Sequence, residues 1–143
     1  MYYSDAAKAR ANDLSNQTIG AAIEVHRELG PGLLESTYEE CLKYELEQRG
    51  LKVSQQLPLP VVYKGVQIDC AYRIDLLVED TVVIEVKAFE KLDKIHDAQV
   101  LTYLKLSRRW LGLLTNFNVT VLKNGIKRLV RDPDARSGPS LSA

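Results

Sequence analysis

The stretch that decides the fold is RIDLLVEDTVVIEVKAF, residues 73–89. Its apolar residues predict two buried β-strands joined by a short turn. Three charged residues, Asp75, Glu85 and Lys87, stand inside these strands. A buried carboxylate without a partner is costly in free energy. These residues therefore need either a partner or a chemical role.

The composition is that of an ordinary globular domain. The 143 residues are 45% hydrophobic and 27% charged, with a net charge of zero, and a chain of this length can bury one sizeable core. No apolar run reaches the ~18 residues of a membrane span, and the first ten residues lack the apolar core of a signal peptide. We therefore expect a cytoplasmic protein. Cys41 and Cys70 lack metal-ligand spacing and are predicted to be reduced core thiols.

Charge is distributed unevenly along the chain. Residues 1–86 carry 8 Lys/Arg and 14 Asp/Glu, whereas residues 87–131 carry 10 Lys/Arg and 3 Asp/Glu. The basic segment could follow a phosphate backbone while acids elsewhere hold a metal ion. The alternative is a solvated surface that is unevenly charged. The residues predicted to contact phosphates are Lys105, Arg108, Arg109, Lys123, Lys127, Arg128 and Arg131.

Two helices are predicted in the first third of the chain. LSNQTIGAAIEVHRELG has a broad apolar stripe at helical spacing, with Ser15 as the expected N-cap, and the GPG that follows must end it. The second helix is expected to begin at about Leu34 or Ser36 and to end at Arg49. Glu35 lies in its first turn, at the positive end of the helix dipole.

Strand patterns dominate the rest of the chain. Residues 51–68 predict extended segments broken by prolines, with a turn at Lys64 and Gly65. Helical spacing returns in KLDKIHDAQVLTYLKLS, and two further strands follow in RWLGLLTNF and VTVLKNGIKRLVR. A hairpin turn is predicted at Asn124 and Gly125 within the second of these.

The order of these elements, α-α-β-β-β-α-β-β, predicts an α/β fold with a central mixed sheet flanked by helices. We expect a single domain over residues 1–131. Residues 132–143 are rich in Pro, Gly and Ser and poor in apolar residues, so a disordered tail is predicted there.

The charged residues of the two strands have the chemistry that phosphodiester hydrolysis needs. Carboxylates holding Mg²⁺ neutralise the phosphate, and a nearby cation can orient or activate water. Glu85 and Lys87 are two apart on a strand and project to the same face. Val86 points into the core, and its carbonyl oxygen is a further candidate metal ligand.

The register of the two strands tests this hypothesis. A two-residue turn at Glu79 and Asp80 would place Asp75 and Glu85 on opposite faces of the sheet. The site therefore requires a three- or five-residue loop, or a bulge. The alternative is that the charged residues decorate a solvated sheet face, where an ion pair contributes only ~0–1 kcal/mol.

Two motifs resemble known protein families. Asp75 followed by Glu85-x-Lys87 resembles the core of the PD-(D/E)xK nuclease superfamily, with Ile74 where the superfamily name has proline. The segment from Gly32 to Tyr38 resembles the family named for its GxxExxY motif. The resemblance implies a restriction-endonuclease-like fold: an αβββαβ core, a central mixed sheet flanked by helices, and here an extra N-terminal helix.

The resemblance also implies roles for individual residues. Asp75 and Glu85 match the metal-binding acids, and Lys87 matches the catalytic lysine.

Three further residues resemble elements found in parts of the superfamily. Glu35 matches an additional acid on the first core helix, which in some members joins the metal site. Gln99 and Tyr103 resemble a Q-x-x-x-Y element on the helix after the catalytic strand. His96, one turn before Gln99, is predicted to cap that helix or to flank the cleft, and His26 has no partner at metal-ligand spacing.

The leading hypothesis is a Mg²⁺-dependent nuclease, with Mn²⁺ as a substitute metal and DNA favoured over RNA as substrate. A second hypothesis is a catalytically inactive module that keeps the nuclease fold and binds nucleic acid or protein. A third is a dimerisation or adaptor protein, homodimers included, whose exposed strand edge pairs with a partner.

Overall fold

The computed structural model describes residues 3–69 and 72–131. The predicted tail at 132–143 and Cys70 lie outside the described residues. In chain order the elements are α1 (Asp5–Leu29), α2 (Glu35–Gln48), β1 (Val53–Pro58), β2 (Val61–Tyr63), β3 (Val66–Ile68), β4 (Arg73–Val78), β5 (Val82–Lys87), α3 (Lys94–Ser107), β6 (Leu111–Asn116), a 3₁₀ helix (Leu122–Gly125) and β7 (Ile126–Val130).

Five strands form a mixed sheet in the order β1-β4-β5-β6-β7. The β5–β6 pair is parallel, with α3 as the crossover, and the other pairs are antiparallel. Helices α1 and α2 pack on one face of the sheet and α3 on the other. This arrangement confirms the predicted α/β fold, and it explains why β5 is apolar along most of its length: both of its faces are covered.

Strands β2 and β3 form a separate antiparallel hairpin outside the main sheet. The predicted turn at Lys64 and Gly65 is confirmed, with φ angles of 50° and 80°. Such positive φ values at both central residues suit a tight two-residue hairpin loop. None of the described helices is long and apolar enough to cross a membrane.

Helix α1 begins eleven residues earlier than the predicted N-cap Ser15 would place it. Its N-cap is Ser4, whose side chain accepts a hydrogen bond from the Ala7 amide at 3.0 Å. The predicted N-cap, Ser15, is wrong, because this residue lies inside the helix and is 1% exposed. The preceding segment is rich in alanine, which favours helix without contributing a strong periodic signal. The helix ends where predicted, at Gly30 with φ 69°.

The connection between β6 and β7 also differs from the prediction. Asn124 and Gly125 belong to a 3₁₀ helix and do not form a two-residue hairpin turn. Leu122 of this helix is buried, at 3% exposure, and anchors the connection to the core. A side chain at position 125 would collide with the carbonyl oxygen of Asn116, so glycine is required there for close packing.

Helix α3 contacts the sheet closely at Gly112 of β6. A Cβ at this position would lie 2.8 Å from Cγ1 of Val100 and 3.4 Å from Cδ2 of Leu104, both on α3. Val100, Tyr103 and Leu104 are the buried residues of the helix, whereas Ile95 in its first turn is 67% exposed. The absence of a side chain at 112 therefore sets the distance between α3 and the sheet.

We expect Gly112→Ala to destabilise the protein by about 1–3 kcal/mol, because the stiff Val100 side chain cannot move aside without displacing α3. Urea denaturation measures this change. Gly20→Ala is the matched control, since its Cβ would meet only the flexible end of Arg49 at 3.2 Å. Alanine is also the better helix former, so the control should be neutral or stabilising by up to ~1 kcal/mol. Equal effects of the two substitutions would contradict this account of the packing.

Candidate active site

The main sheet opens between β4 and β5 at the position of Asp75. Backbone pairing joins Leu76 to Ile84, Leu77 to Val83 and Val78 to Val82, and it stops there. The loop between the strands therefore has three residues, 79–81, two of them with positive φ. A three-residue loop is one of the connections that the site hypothesis allows. The resulting register of β4 and β5 places Asp75 beside Glu85 on one face of the sheet.

Asp75 fills the gap where backbone pairing ends. Its Oδ2 accepts a hydrogen bond from the Val86 amide at 2.8 Å, and its Oδ1 accepts one from Nε2 of Gln56 at 3.2 Å. The side chain thus replaces a backbone partner that β4 no longer supplies. Because the amide and carbonyl of a strand residue lie on the same edge, the Val86 carbonyl oxygen faces this gap as well.

Gln56 holds Asp75 from the side of β1. The pairing of β1 with β4 omits this residue and Asp75, although the register is the same on both sides of them. Gln56 has φ 52°, an unusual value for a residue with a long side chain. Its amide also donates to Oε2 of Glu39 at 2.9 Å, and Gln55 donates to the same oxygen at 2.8 Å.

Glu39 is a functional candidate that the sequence analysis missed. It lies on α2 one turn after Glu35 and is only 8% exposed. Burial raises the pKa of this carboxyl group, while the hydrogen bonds from Gln56 and Gln55 oppose the rise. The sequence could have revealed Glu39 through its position on the helix. It lies on the same apolar stripe as Leu42 and Leu46, and a buried acid there needs polar partners.

Glu85 is the most strongly perturbed group in the site. It is 3% exposed, and its Oε2 has no hydrogen-bond partner within the described part of the chain. Burial, and secondly the adjacent Asp75, raise the pKa of Glu85 to about 10, although Lys87 acts in the opposite direction. Two neighbouring carboxylates cannot both be charged cheaply in a desolvated place. Without a cation, Glu85 therefore keeps its proton, which it can share with Asp75.

Lys87 lies at the end of β5 on the rim of a cavity of about 450 Å³. Gln99 and Tyr103 of α3 line the same cavity, so the structure brings these sequence candidates together. The Gln99 amide donates to the Tyr103 hydroxyl at 3.0 Å, which leaves the hydroxyl hydrogen free to point elsewhere. Burial, and secondly Glu85, raise the pKa of Tyr103 to about 12, so this hydroxyl stays neutral and able to donate.

Asn116 fixes the chain that follows Lys87, and the sequence analysis missed this residue too. It pairs with Lys87 across β5 and β6 and is 3% exposed. Its amide nitrogen donates to the Phe89 carbonyl at 2.9 Å, and its amide oxygen accepts from the Phe89 amide at 3.0 Å. This double hydrogen bond holds the start of the loop that leads to α3.

Glu35, the additional acid that the resemblance implies, lies beside the end of β5. Its Oε2 accepts from the Ala88 amide at 3.4 Å, beyond the end of β5, and its charge still raises the pKa of Glu85. Among residues 3–69 and 72–131, no three His, Cys, Asp or Glu side chains converge closely enough to hold a metal ion. The expected three-acid set of Glu35, Asp75 and Glu85 is therefore not assembled in this structure.

The basic residues predicted to contact phosphates do not form one surface. Lys127 pairs with Asp97 at 2.9 Å on the α3 side of the sheet, whereas the guanidinium of Arg128 lies 5.5 Å from the Trp110 ring on the α1 side. Arg109 binds Asp80 at 2.5 Å near the start of β5, about 17 Å along the strand from Lys87.

Of the remaining members of the predicted basic set, Arg108 lines the same cavity as Arg109 and Trp110, and Arg131 also contacts Trp110. Arg108 caps the C-terminus of α3, Lys105 is exposed in its last turn, Lys123 is exposed in the 3₁₀ helix, and Arg131 follows β7, where its amide donates to the Trp110 carbonyl at 2.8 Å. A single phosphate-binding face built from all seven residues is therefore not present in this fold.

The residues of the gap fit a hard divalent cation. Among the described residues Glu85 Oε2 has no hydrogen-bond partner, and a cation beside Asp75 and Glu85 would remove the repulsion between their charges. Mg²⁺ in proteins is commonly held by one or two carboxylates and keeps several waters, so a preassembled group of three acids is not required. The Val86 carbonyl is the third oxygen that faces this gap.

Glu85→Gln should stabilise the metal-free protein at alkaline pH. Because the folded pKa of Glu85 is raised from 4.5 to about 10, the unfolded chain releases this proton above pH 4.5 and the folded chain retains it. The contribution of Glu85 to stability is therefore complete below pH 4.5 and is lost progressively as pH rises toward 10. Glutamine stays neutral and keeps a donor toward Asp75.

Urea denaturation in EDTA tests this prediction. We expect Glu85→Gln to exceed the wild type by about 1–3 kcal/mol at pH 8 and the difference to vanish near pH 4.5. Glu47→Gln, on the exposed side of α2, is the matched control and should stay within ±0.5 kcal/mol at both pH values. A destabilised Glu85→Gln variant at pH 8 would show that the glutamate is charged and well paired.

Comparison with known proteins agrees with this geometry. The family model of the PD-(D/E)XK nuclease superfamily matches residues 12–129, which include Asp75, Glu85 and Lys87. No curated protein and no solved structure matches the chain. Enzymes of this superfamily are nucleases and generally use divalent metal ions. Since the match covers most of the sequence and the fold agrees with it, the chain belongs to the PD-(D/E)XK nuclease superfamily.

Proposed function

We propose that this protein is a Mg²⁺-dependent nuclease that hydrolyses phosphodiester bonds of nucleic acid, DNA in preference to RNA. The observation that carries the proposal is the pair of Asp75 and buried Glu85 in the gap between β4 and β5, with Lys87 on the same face of β5. Mn²⁺ is the expected substitute metal, because it also prefers carboxylate, carbonyl and water ligands.

In this proposal Asp75, Glu85 and the Val86 carbonyl hold the cation. The bound ion would supply charge stabilisation to the phosphate oxygens in the transition state. The Val86 amide and Gln56 fix both oxygens of Asp75, so this carboxylate needs little reorganisation to act as a ligand. Preorganisation of this kind is a main source of rate acceleration in phosphoryl transfer.

Lys87, Gln99 and Tyr103 act on the substrate in the same proposal. The Lys87 ammonium lies beside Glu85 and lines the cavity, where it can position a water for attack on the phosphorus atom. The neutral Tyr103 hydroxyl, held by Gln99, has its hydrogen available for a phosphate oxygen. Glu35 accepts a hydrogen bond from the amide of Ala88, the residue that follows Lys87. In this proposal Glu35 orients the end of β5 and does not bind the metal directly.

The motif from Gly32 to Tyr38 supports a finer assignment to the GxxExxY family. Gly32 has φ 99°, which suits glycine, and the Tyr38 hydroxyl donates to the Gly30 carbonyl at 2.5 Å while accepting from the Leu33 amide at 3.1 Å. Tyr38 also stacks on Phe117, with ring centroids 4.5 Å apart. The motif thus closes the α1–α2 loop and directs Glu35 toward the end of β5.

Metal binding is the first test. We expect Mg²⁺ or Mn²⁺ to raise the free energy of unfolding by about 2.7 kcal/mol at a concentration 100 times the dissociation constant. Asp75→Asn should lose most of this gain, because it removes a charged ligand. Asp13→Asn, on the exposed side of α1, is the matched control and should retain it. Stabilisation that is unchanged in Asp75→Asn would place the metal elsewhere.

Cleavage is the second test. Single- and double-stranded DNA and RNA are incubated with the wild type in Mg²⁺, in Mn²⁺ and in EDTA. We expect metal-dependent cleavage, and we expect Asp75→Ala and Lys87→Ala each to lower its rate by roughly 10²-fold or more. Lys43→Ala on α2, whose partner is Glu47, is the control for loss of a lysine.

Three outcomes decide between the functions. Metal-dependent cleavage that survives both Asp75→Ala and Lys87→Ala would remove the assigned site. Nucleic-acid binding without cleavage in any metal would favour the inactive nuclease-fold module. Faster cleavage of RNA than of DNA would reverse the proposed substrate preference.

A further inference from the structure

The cavity beside Lys87 has walls that phosphate chemistry alone does not explain. Its volume of about 450 Å³ lies in the range of ligand-binding cavities. Four aromatic rings line it, those of Tyr72, Phe89, His96 and Tyr103, together with the polar side chains of Gln99 and Thr102. A site that bound only a phosphate backbone would need cations and amides here, not ring faces.

The aromatic rings form two pairs. Phe89 and His96 lie 4.8 Å apart between centroids, and Tyr72 and Tyr103 lie 6.4 Å apart at a steep angle. Phe89 is 40% exposed and Tyr72 is 44% exposed, so both leave large apolar surface in contact with water. Exposed apolar surface inside a concave site usually marks a place where a ligand binds.

The loop that carries Phe89 is held rigidly. Asn116 binds both the amide and the carbonyl of this residue, and His96 accepts from the Asp93 amide at 2.9 Å in a capping box at the start of α3. The backbone of Phe89 and the ring of His96 are therefore held before any ligand enters. A rigid aromatic platform keeps the entropic cost of stacking low.

The position of the cavity identifies its occupant. Lys87 lines the cavity and lies two residues from Glu85 on the same face of β5, so a phosphodiester bound at the two carboxylates would have its neighbouring nucleoside near the cavity. Aromatic rings stack on any nucleobase because every base has a π-face, and amides such as that of Gln99 can reach base edges. A base inside a duplex is not available for such contacts.

We propose that this cavity binds an unstacked nucleobase next to the cleaved phosphodiester, so that the substrate class is single-stranded nucleic acid or an unpaired end. The inference rests on the proposed nuclease function and names the substrate of that same site. It also agrees with the position of the basic residues, since Arg109 and Arg128 lie around Trp110, Lys127 pairs with Asp97, and none of the three lines the cavity.

The test distinguishes the contribution of the bases to binding from that of the phosphates. Two fluorescein-labelled decamers of equal charge are compared by fluorescence anisotropy, decathymidylate and a decamer in which every base is replaced by hydrogen. Ca²⁺ replaces Mg²⁺ to slow any cleavage during the titration. We expect the wild type to bind decathymidylate about 5- to 100-fold more tightly than the abasic decamer, as stacking of one or two bases provides.

Two variants locate the preference. Phe89→Ala and Tyr72→Ala should each reduce the ratio of the two affinities at least 3-fold, while the affinity for the abasic decamer stays the same. Tyr44→Ala is the matched control, because this tyrosine is 63% exposed on α2 and lines a different cavity. Circular dichroism melting verifies that all three variants fold.

A ratio near one in the wild type, failure to bind either decamer, or a ratio that Phe89→Ala and Tyr72→Ala leave unchanged would overturn the cavity assignment. The cleavage assay is read separately. Metal-dependent cleavage together with a ratio near one would retain the nuclease and reject the base-binding cavity. A high ratio that both variants reduce, without cleavage in any metal, would retain the cavity and reject the catalytic function.

Discussion

The structure depends on one electrostatic conflict, the placement of the Glu85 carboxyl group beside Asp75 in a desolvated gap. Strands β4 and β5 separate at this point, and Asp75 takes over the Val86 amide that the sheet leaves without a backbone partner. The sheet could close by one more residue pair if position 75 held an apolar residue. The fold instead keeps an opening, and the opening exposes a backbone carbonyl next to two acids.

The conflict can be relieved in two ways, and they have different consequences. A proton on Glu85 removes the repulsion between the two carboxylates, and the pKa of about 10 indicates that the metal-free protein uses this solution. A divalent cation relieves the conflict equally well and also recruits the oxygen atoms for chemistry. Under the proposed function the protein therefore exchanges a proton for a metal ion at this position, and its stability and its activity respond to the same group.

Local pattern was sufficient to predict the two strands of this site, and it restricted the connection between them to a three-residue loop, a five-residue loop or a bulge. Because Asp75 and Glu85 must share a face, the loop between their strands must have an odd number of residues unless a strand is bulged. The four-residue spacing of Gln99 and Tyr103 placed them together on one side of a helix. The contacts of Gln56 with Glu39 and of Asn116 with Phe89 were not predictable, because they join residues 17 and 27 positions apart. A positive φ at Gln56 has no local sequence signal.

The spatial distribution of the basic residues was not predictable for a related reason. Consecutive residues of a strand point to opposite faces, so Lys127 and Arg128 lie on different sides of the sheet although they are neighbours in the chain. A charge count along the sequence does not distinguish the two faces of the sheet. Ser15 shows the same limit in a helix, since a good capping residue placed on the apolar stripe becomes a buried hydroxyl.

The two faces of the sheet contribute different parts to the site. Helix α2, on one face, brings Glu35 to the Ala88 amide and Glu39 to Gln56, and both contacts act on the strand backbone and on Asp75. Helix α3, on the other face, brings the aromatic and polar walls of the cavity. Both helices reach β5. The two contributions are linked there, because Glu85 raises the pKa of Tyr103 on α3, so a change at Tyr103 acts on the carboxylate pair as well as on the cavity.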